Sequence, residues 1–258
     1  MSGEHDPVLR ERRGERVLVI TINRPDQRNA VNAAVSQGIA AALDELDADQ
    51  TLSVGVLTGA GTGFCAGMDL KAFVAGERPH VEGRGFAGIT QRSADKPLIA
   101  AIEGFAVAGG LEVALACDLI VAARGARLGV PEVKRSLVAA GGALLRLPRV
   151  LPRNVANELA LTGDPIDAER AHDLGLVNRL AEPGQALEMA LQLAETIAAN
   201  GPLALAATKR VLCEAGDWSD AEFFERQRPI IDPVFASEDA REGATAFSER
   251  RDPVWKGR

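Results

Sequence analysis

Tyrosine is absent from this chain of 258 residues, and aromatic residues of all kinds make up only 4% of it. Small aliphatic side chains must therefore fill much of the core, which favours close packing of helices against sheets. No uncharged apolar run approaches the ~18 residues of a membrane-spanning helix, and residues 1–13 lack the apolar region of a secretory signal. We therefore expect a cytoplasmic protein with no membrane partner.

Positive charge is also scarce, since 29 Lys and Arg stand against 36 Asp and Glu, a net charge of −7. An acidic chain repels phosphate backbones, so we expect no nucleic-acid partner. The three cysteines, Cys65, Cys117 and Cys213, are odd in number and far apart. Their spacing supports neither a disulfide framework nor a zinc site, so we expect reduced thiols and no metal.

Strand-like and helix-like segments alternate along the first half of the chain, which predicts an α/β fold with crossover connections. β-rich runs occupy residues 17–22, 53–57 and 97–102, and apolar residues at helical spacing mark residues 33–46. A short helix running into a strand follows at residues 111–123. The remainder is mostly helical, with predicted helices at residues 167–174, 186–199, 203–213 and 221–235. Residues 76–88 are polar and glycine-rich, the composition of a mobile surface segment or a lid.

The stretch VLTGAGTGFCAGMDLK, residues 56–71, holds several glycines directly after a predicted strand. A dinucleotide site would need G-x-G-x-x-G/A, but counting from Gly59 places Phe64 at the last position. No Gly-Lys-Ser/Thr is present for a P-loop either. Two interpretations remain: a tight turn, or a loop whose backbone N–H groups converge on a developing anion.

An oxyanion hole needs a second donor, and Gly109-Gly110 at the start of a predicted helix is the candidate. N–H groups in a first helical turn are unpaired, and the helix dipole there favours negative charge. Two glutamates stand among apolar residues: Glu112 in VAGGLEVALAC and Glu132 in LGVPEV. A buried carboxylate is costly unless it is paired or protonated.

Each glutamate also has a purely structural interpretation. Glu112 suits the first turn of a helix, and Glu132 suits an exposed turn after Pro131. Together they suit proton transfer, because two partly desolvated carboxylates can differ in pKa. Nucleophilic catalysis has less support, since His5, His80 and His172 lie in polar stretches without a G-x-S-x-G partner. Cys65 has no nearby histidine in the sequence, which favours a packing thiol over a nucleophile.

Several motifs in order resemble the enoyl-CoA hydratase/isomerase family, the crotonases. ITINRPDQRNAVN is similar to the family's strand and N-R-P turn, and FCAGMDLK to its F-x-A-G-x-D-[LI] loop. The segments KPLIAAIEGFAVAGGLEVALACDLIVA, ARLGVPEVK and LTGDPIDAERAHDLGLVNRL resemble three further family segments. The resemblance covers nearly the whole chain.

The resemblance implies a crotonase-like spiral of ββα turns within the α/β class, followed by a C-terminal helical region. Residues 1–195 would form the spiral core with the acyl-CoA site. Residues 196–258 would form a helical region that covers the active site and mediates assembly into homotrimers, often paired as hexamers. Coenzyme A would be part of the substrate, so no separate cofactor is expected.

The resemblance also assigns roles to individual positions. Backbone N–H groups of Met68 and Gly109 would polarise a thioester carbonyl, and Glu112 and Glu132 would carry the acid–base chemistry. The substrate-binding positions that it implies are Arg28, Ala30, Ala66, Gly67, Met68, Asp69, Leu70 and Gly109. Hydratase members use both glutamates, whereas isomerases often keep only the second. We therefore expect reversible syn addition of water to a 2-enoyl-CoA, giving a 3-hydroxyacyl-CoA.

Three alternatives stay open: an enoyl-CoA isomerase that uses Glu132 alone, a carnitinyl-CoA-type dehydratase, and an acyl-CoA-binding scaffold without turnover. The family segment after the second glutamate departs here from its usual pattern, with no proline and with Ala143 in place of Ser/Thr. The adjacent pair Lys134-Arg135 is unusual there, and it would either turn outward or bind a polar acyl group. Arg28, Lys71 and the stretch from Arg250-Arg251 to Lys256 are candidate cations for the coenzyme A phosphates, with ordinary solvated charge as the alternative.

Overall fold

The computed structural model of the chain describes residues 6–258. In chain order its strands are β1 (Val8–Arg13), β2 (Val17–Ile22), β3 (Val54–Gly59), β4 (His80–Val81), β5 (Gly85–Phe86), β6 (Leu98–Ile102), β7 (Phe105–Val107), β8 (Leu119–Ala123), β9 (Arg127–Gly129), β10 (Ile166–Asp167) and β11 (Arg179–Ala181). Its α-helices are α1 (Ala33–Ala48), α2 (Leu70–Val74), α3 (Gly109–Leu115), α4 (Ala143–Val150), α5 (Arg153–Thr162), α6 (Ala168–Asp173), α7 (Ala186–Ala198), α8 (Pro202–Glu214), α9 (Asp220–Phe235) and α10 (Glu238–Glu249). Short 3₁₀ segments lie at Pro25–Gln27, Pro131–Arg135 and Ala215–Asp217.

A six-stranded sheet with the order β1-β2-β3-β6-β8-β11 forms the centre of the fold. Only β1 runs antiparallel, and β2, β3, β6, β8 and β11 pair in parallel. Parallel neighbours need crossover connections, which the intervening helices supply. The predicted α/β class with crossovers is therefore confirmed.

Both faces of this sheet are buried, which explains why its strands read as near-continuous apolar runs. On β3, Leu57 points into the larger core, whereas Val54 and Val56 point to the other face. Helix α7 covers that second face with small side chains, among them Ala190 and Ala194. Small residues on the helix permit the close helix–sheet packing that the composition suggests.

A second sheet has three strands in the order β10-β9-β7. The chain enters this sheet more than once after it leaves the six-stranded sheet. The path runs β6–β7–α3, and then β8–β9 followed by the 3₁₀ segment Pro131–Arg135. Cys65 forms an isolated parallel bridge to Ala106, so the chain after β3 approaches this sheet before α2. Consecutive ββα turns therefore place the loop after β3 beside β7, which pairs with β9.

The segment 76–88 is more ordered than its composition suggests. It contains the hairpin β4–β5, and residues 84–88 are buried. Arg84 forms an ion pair with Asp44 of α1, which ties the hairpin to the core. The prediction of a surface segment therefore holds for residues 76–78 and is wrong for residues 84–88.

The four helices predicted in the C-terminal third are present as α6 to α9. Lys209 of α8 donates a hydrogen bond to Asp118 at 2.7 Å, which attaches this region to the sheet. None of the helices within residues 6–258 is long and apolar enough to cross a membrane. The predicted boundary between the spiral core and the C-terminal helical region, at residue 195, falls inside α7, which packs on the sheet. This domain division stays a prediction.

Candidate active site

The glycine loop after β3 is shaped by contacts that exclude side chains. Gly61 has a φ of +77°, and a Cβ at Gly59 or Gly63 would collide with the carbonyl of Phe64 or the ring of Phe105. Buried Asn29 donates from Nδ2 to the carbonyls of Ala60 (2.8 Å) and Gly63 (2.7 Å). The interpretation of these glycines as turn geometry is confirmed.

The chain beyond this turn presents an unused N–H at Met68. Val31 forms a parallel bridge with Met68, in which the Val31 N–H donates to Gly67 and the Val31 carbonyl accepts from Asp69. In a parallel pair those two bonds flank the bridged residue, whose own N–H points to the opposite side. Within residues 6–258 the Met68 N–H therefore has no hydrogen-bond partner.

The second candidate donor, Gly109, is the first residue of α3 and lies directly against this loop. Its N–H has no intrahelical partner, as expected for a first turn. A Cβ added at Gly67 would come within 2.9 Å of the Gly109 nitrogen, and one at Gly109 would lie 2.6 Å from the ring of Phe86. Glycine at both positions lets the two N–H groups approach one another.

A cavity of about 310 Å³ opens over these two donors. Its lining includes seven of the positions proposed from sequence, namely Arg28, Ala66, Met68, Leu70, Gly109, Glu112 and Glu132. The structure thus brings both glutamates and both N–H donors to one cavity.

The remaining proposed positions, Ala30, Gly67 and Asp69, are absent from the cavity lining and make supporting contacts. The carbonyls of Ala30 and Gly67 accept from Arg24 (2.6 Å) and Val31 (2.8 Å). Asp69 caps α2 and forms an ion pair with Arg24 at 3.0 Å. These contacts indicate that the three residues shape the loop.

Glu112 is almost fully buried, with 4% of its surface exposed, and lies in the first turn of α3. Its Oε1 accepts a hydrogen bond from the Ala143 N–H at 3.1 Å. Burial raises the pKa of this carboxyl, while backbone N–H groups of Ala143 and Gly141 and the charge of Arg146 act to lower it. The carboxylate is thus desolvated, but groups that favour its ionised form hold it.

Glu132 has a different environment in the 3₁₀ segment Pro131–Arg135. Its Oε2 is buried and has no hydrogen-bond partner within residues 6–258. Burial raises the pKa of this carboxyl, and the charge of Glu112 across the cavity raises it further. Because few groups compensate for ionisation here, Glu132 is the better proton carrier of the two.

Sequence reasoning missed two residues at this site: His80, which lines the cavity, and Arg146, which lies beside Glu112. Arg135, for which the sequence left open an outward position or a contact with the acyl group, lines the cavity. His80 comes from the hairpin that residues 76–88 form, where its ring meets Phe86 edge-on at 5.9 Å. The polar surroundings of His80 in the sequence gave no signal for this position, because the hairpin's docking on the core decides it.

Cys65 is fully buried, and burial raises its pKa to about 12, so the interpretation as a packing thiol is supported. Of the proposed phosphate-binding cations, Arg28 lines the cavity and lies 4.4 Å from the Phe105 ring centroid. Arg251 and Lys256 instead form ion pairs with glutamates of α10, for example Glu242 and Glu238. Arg28 is thus the one of these three cations that the fold places at the cavity.

Two unpaired N–H groups beside two desolvated carboxyls define a site that can stabilise an enolate-like anion and move protons next to it. A family model described as enoyl-CoA hydratase/isomerase matches residues 12–258. An enoyl-CoA hydratase of Mycobacterium tuberculosis is 42% identical over 97% of this chain and 96% of its own. A carnitinyl-CoA dehydratase of Salmonella heidelberg is 41% identical over 94% and 95%, respectively.

Solved structures agree with these similarities. A crystal structure of an enoyl-CoA hydratase from Mycobacterium tuberculosis H37Rv matches with a TM-score of 0.96 at 62% identity, covering 98% of this chain and all of that one. A crystal structure of a carnitinyl-CoA hydratase from Mycobacterium avium matches with a TM-score of 0.79 at 46% identity, covering 98% of this chain and all of that one. The chain belongs to the enoyl-CoA hydratase/isomerase family, and the predicted crotonase-like fold is confirmed.

Proposed function

We propose that this protein is an enoyl-CoA hydratase, a lyase that adds water reversibly across the C2–C3 double bond of a 2-enoyl-CoA thioester. The observation that carries the proposal is the meeting of Glu112, Glu132 and the N–H groups of Met68 and Gly109 at one cavity. The product is a 3-hydroxyacyl-CoA, as in fatty acid metabolism. Similarity to proteins named enoyl-CoA hydratase supports this assignment.

The two N–H groups act on the thioester carbonyl. Donation from Met68 and Gly109 draws electron density onto the oxygen, which makes C3 electrophilic and C2 enolate-like after attack. One such donor contributes about 3–4 kcal/mol of transition-state stabilisation. Neither donor has to break a protein hydrogen bond first, because neither has one within residues 6–258.

The two carboxyls divide the proton transfers. Glu112, whose ionised form is held by N–H groups and by Arg146, takes a proton from the water that attacks C3. Glu132, which lacks such support at Oε2, delivers a proton to C2. Addition of both groups from the same side of the double bond gives syn hydration, and dehydration reverses the roles.

The test measures hydration of crotonyl-CoA and longer enoyl-CoAs by loss of the absorbance of the conjugated thioester. Glu112→Gln and Glu132→Gln should each lower kcat by about 10²- to 10⁴-fold, the usual contribution of a positioned acid or base. Glu158→Gln, at an exposed position on α5, is the matched control and should retain activity. Wild-type rates in the double variant would contradict the proposal.

The same variants separate hydration from double-bond isomerisation. A 3-enoyl-CoA isomerase needs one carboxyl to move a proton between C2 and C4, so Glu112→Gln would spare that reaction. Product analysis with a 3-enoyl-CoA distinguishes the two activities. An acyl-CoA scaffold would instead show calorimetric binding and no product with any enoyl-CoA of the panel.

Similarity to carnitinyl-CoA dehydratases raises the question of a polar acyl group. Lys134 turns away to Asp164, whereas Arg135 lines the cavity. A quaternary ammonium group binds to aromatic faces and is repelled by cations. Within residues 6–258, Phe86 is the only phenylalanine that lines this cavity. These contacts favour a neutral or anionic acyl group over a carnitinyl group.

Assembly into trimers or hexamers belongs to the proposal, with residues 196–258 as the principal contact region. Large apolar side chains are exposed on the outer helices, including Leu161, Leu212, Phe224, Phe235 and Phe247. Such exposure is typical of surfaces that another subunit covers. Light scattering after size-exclusion chromatography tests this, and a monomer at micromolar concentration would contradict it. A cytoplasmic location, suggested by the unpaired cysteines, is also proposed.

A further inference from the structure

Arg146 of α4 is a half-buried cation that none of the sequence motifs singled out. Its Nη2 donates to the carbonyl of Thr90 at 2.6 Å, and its Nη1 donates to the carbonyl of Gly141 at 3.4 Å. Gly142, the residue after Gly141, has a φ of +108°, and a Cβ added to it would collide with Nη1 of Arg146. The guanidinium therefore packs directly on the turn formed by residues 141–143.

The same turn holds the carboxylate of Glu112. The Ala143 N–H donates to Oε1 at 3.1 Å, and a Cβ on Gly141 would lie 2.5 Å from Oε2. Arg146 and Glu112 thus contact one short turn from two sides. A shift of either side chain would move the backbone groups that the other one uses.

The charges of the two residues act on each other as well. Burial raises the pKa of Glu112, and the positive charge of Arg146 opposes that shift. Burial lowers the pKa of Arg146, and the charge of Glu112 opposes that shift in turn. An arginine in a protein stays charged at neutral pH, so Glu112 always faces a cation here.

Other ionisable groups surround this pair on several elements. Glu132 lies across the cavity, Cys117 lies beyond α3, and Arg149 lies one turn along α4 from Arg146. Arg28, His80 and Arg135 are the remaining charged or titratable residues of the cavity lining. The charge of Arg146 favours the ionised form of Glu112, as do hydrogen bonds from backbone N–H groups.

We infer that Arg146 is a positioning residue that holds the 141–143 turn around Glu112 and, by its charge, favours the form of this carboxyl that accepts a proton. The inference rests on the proposed hydration, in which Glu112 must accept a proton. Without the cation, burial would drive both carboxyls toward the protonated form. The enzyme would then lack its base at the pH where its acid works.

The first experiment compares the pH dependence of kcat/KM for crotonyl-CoA in wild type, Arg146→Met and Arg146→Lys. An opposite charge near a carboxyl shifts its pKa by about 1–3 units, so the acid limb of the methionine variant should move up by about one unit or more. Activity should largely recover at high pH. Lysine should restore the position of the limb, because it retains the charge.

Arg149→Met is the matched control, since Arg149 lies on the same helix and pairs with Asp217 at 3.7 Å on the surface. Its acid limb should coincide with that of wild type. If Arg146 had a purely structural role, its replacement would lower kcat/KM by the same factor at every pH. An unmoved limb in Arg146→Met would therefore overturn the inference.

A second readout needs no turnover. Carbon-13 NMR of glutamate-labelled protein, with the Glu112 signal assigned from Glu112→Gln, follows the titration of this carboxyl directly. Its midpoint should rise in Arg146→Met and stay in place in Arg149→Met. If wild type hydrates no enoyl-CoA, the proposed function fails. An unchanged Glu112 midpoint contradicts the inference about Arg146 independently.

Discussion

The cavity has two dissimilar walls. The inner wall, residues 65–68 and 107–112, is made of tightly packed backbone, with Gly109 buried and Glu112 almost fully buried. The outer wall, residues 131–141, is largely exposed, and Val138 keeps 68% of its surface in solvent. Each wall contributes one of the two glutamates.

The difference between the walls assigns different tasks to them. Reaction chemistry at the thioester needs donors at fixed positions, which packed glycines and a buried helix start provide. Selection of the acyl group instead depends on the size and charge of the side chains that contact it. The outer wall presents Arg135, Leu137 and Val138 to the cavity. We expect substitutions in the inner wall to change kcat and substitutions in the outer wall to change substrate preference.

Gly109→Ala should have a larger effect than the three substitutions that follow have on the properties they test, because the added Cβ would lie 2.6 Å from the Phe86 ring and displace the N–H donor. Loss of one oxyanion donor lowers kcat by about 10²- to 10³-fold. Hydration of crotonyl-CoA measures the change. Gly216→Ala is the control, since a Cβ there meets nothing within 4 Å. A wild-type kcat in Gly109→Ala would contradict the role of the inner wall in the chemistry.

Ala108→Gly tests whether the inner wall is strained. Ala108 precedes α3 with φ 53° and ψ −133°, a conformation that suits glycine. Relief of such strain gains about 1–3 kcal/mol, partly offset by the greater freedom of glycine in the unfolded chain, so we expect about 1 kcal/mol of stabilisation. Thermal unfolding measures it. Ala116→Gly, at φ −85° and ψ −10°, should instead be destabilising.

Arg135→Met tests the outer wall. The ratio of kcat/KM for an enoyl-CoA with a terminal carboxylate to that for its neutral methyl ester should fall by about two- to fivefold, the range of an exposed ion pair. Crotonyl-CoA hydration should stay unchanged. Lys134→Met is the control, because Lys134 pairs with Asp164 away from the cavity. Equal ratios in all three proteins would deny Arg135 a role in selection.

Glu132→Gln should have the smallest effect on stability, of less than about 1 kcal/mol, because solvent screens a half-buried group. Burial raises the pKa of Glu132 in the folded state, so stability falls as the pH rises from the ordinary glutamate pKa to the raised one and stays lower above it. The variant should therefore unfold at higher temperature than wild type at pH 7–8. Below the ordinary glutamate pKa of 4.5 the difference should vanish. A difference independent of pH would contradict this assignment.

Much of the fold was predictable because its strands and helices carry strong local patterns. The apolar runs of β2, β3 and β6 and the helical spacing of α1 appear near the predicted positions. The hairpin at residues 80–86 was not, since each of its strands has only two residues and both lie in a polar, glycine-rich segment. Their order depends on docking to α1, including the ion pair of Arg84 with Asp44.

By itself, the sequence determined the α/β class, the glycine turn after β3, and the candidates Gly109, Glu112 and Glu132, to which the family resemblance added Met68. Those features lie in local spacing, where a glycine or a carboxyl among apolar residues is informative. Only the tertiary structure decided that Arg146 and His80 belong near the same cavity and that Lys134 leaves it. Such placement depends on contacts between residues distant in the chain, which local periodicity does not encode.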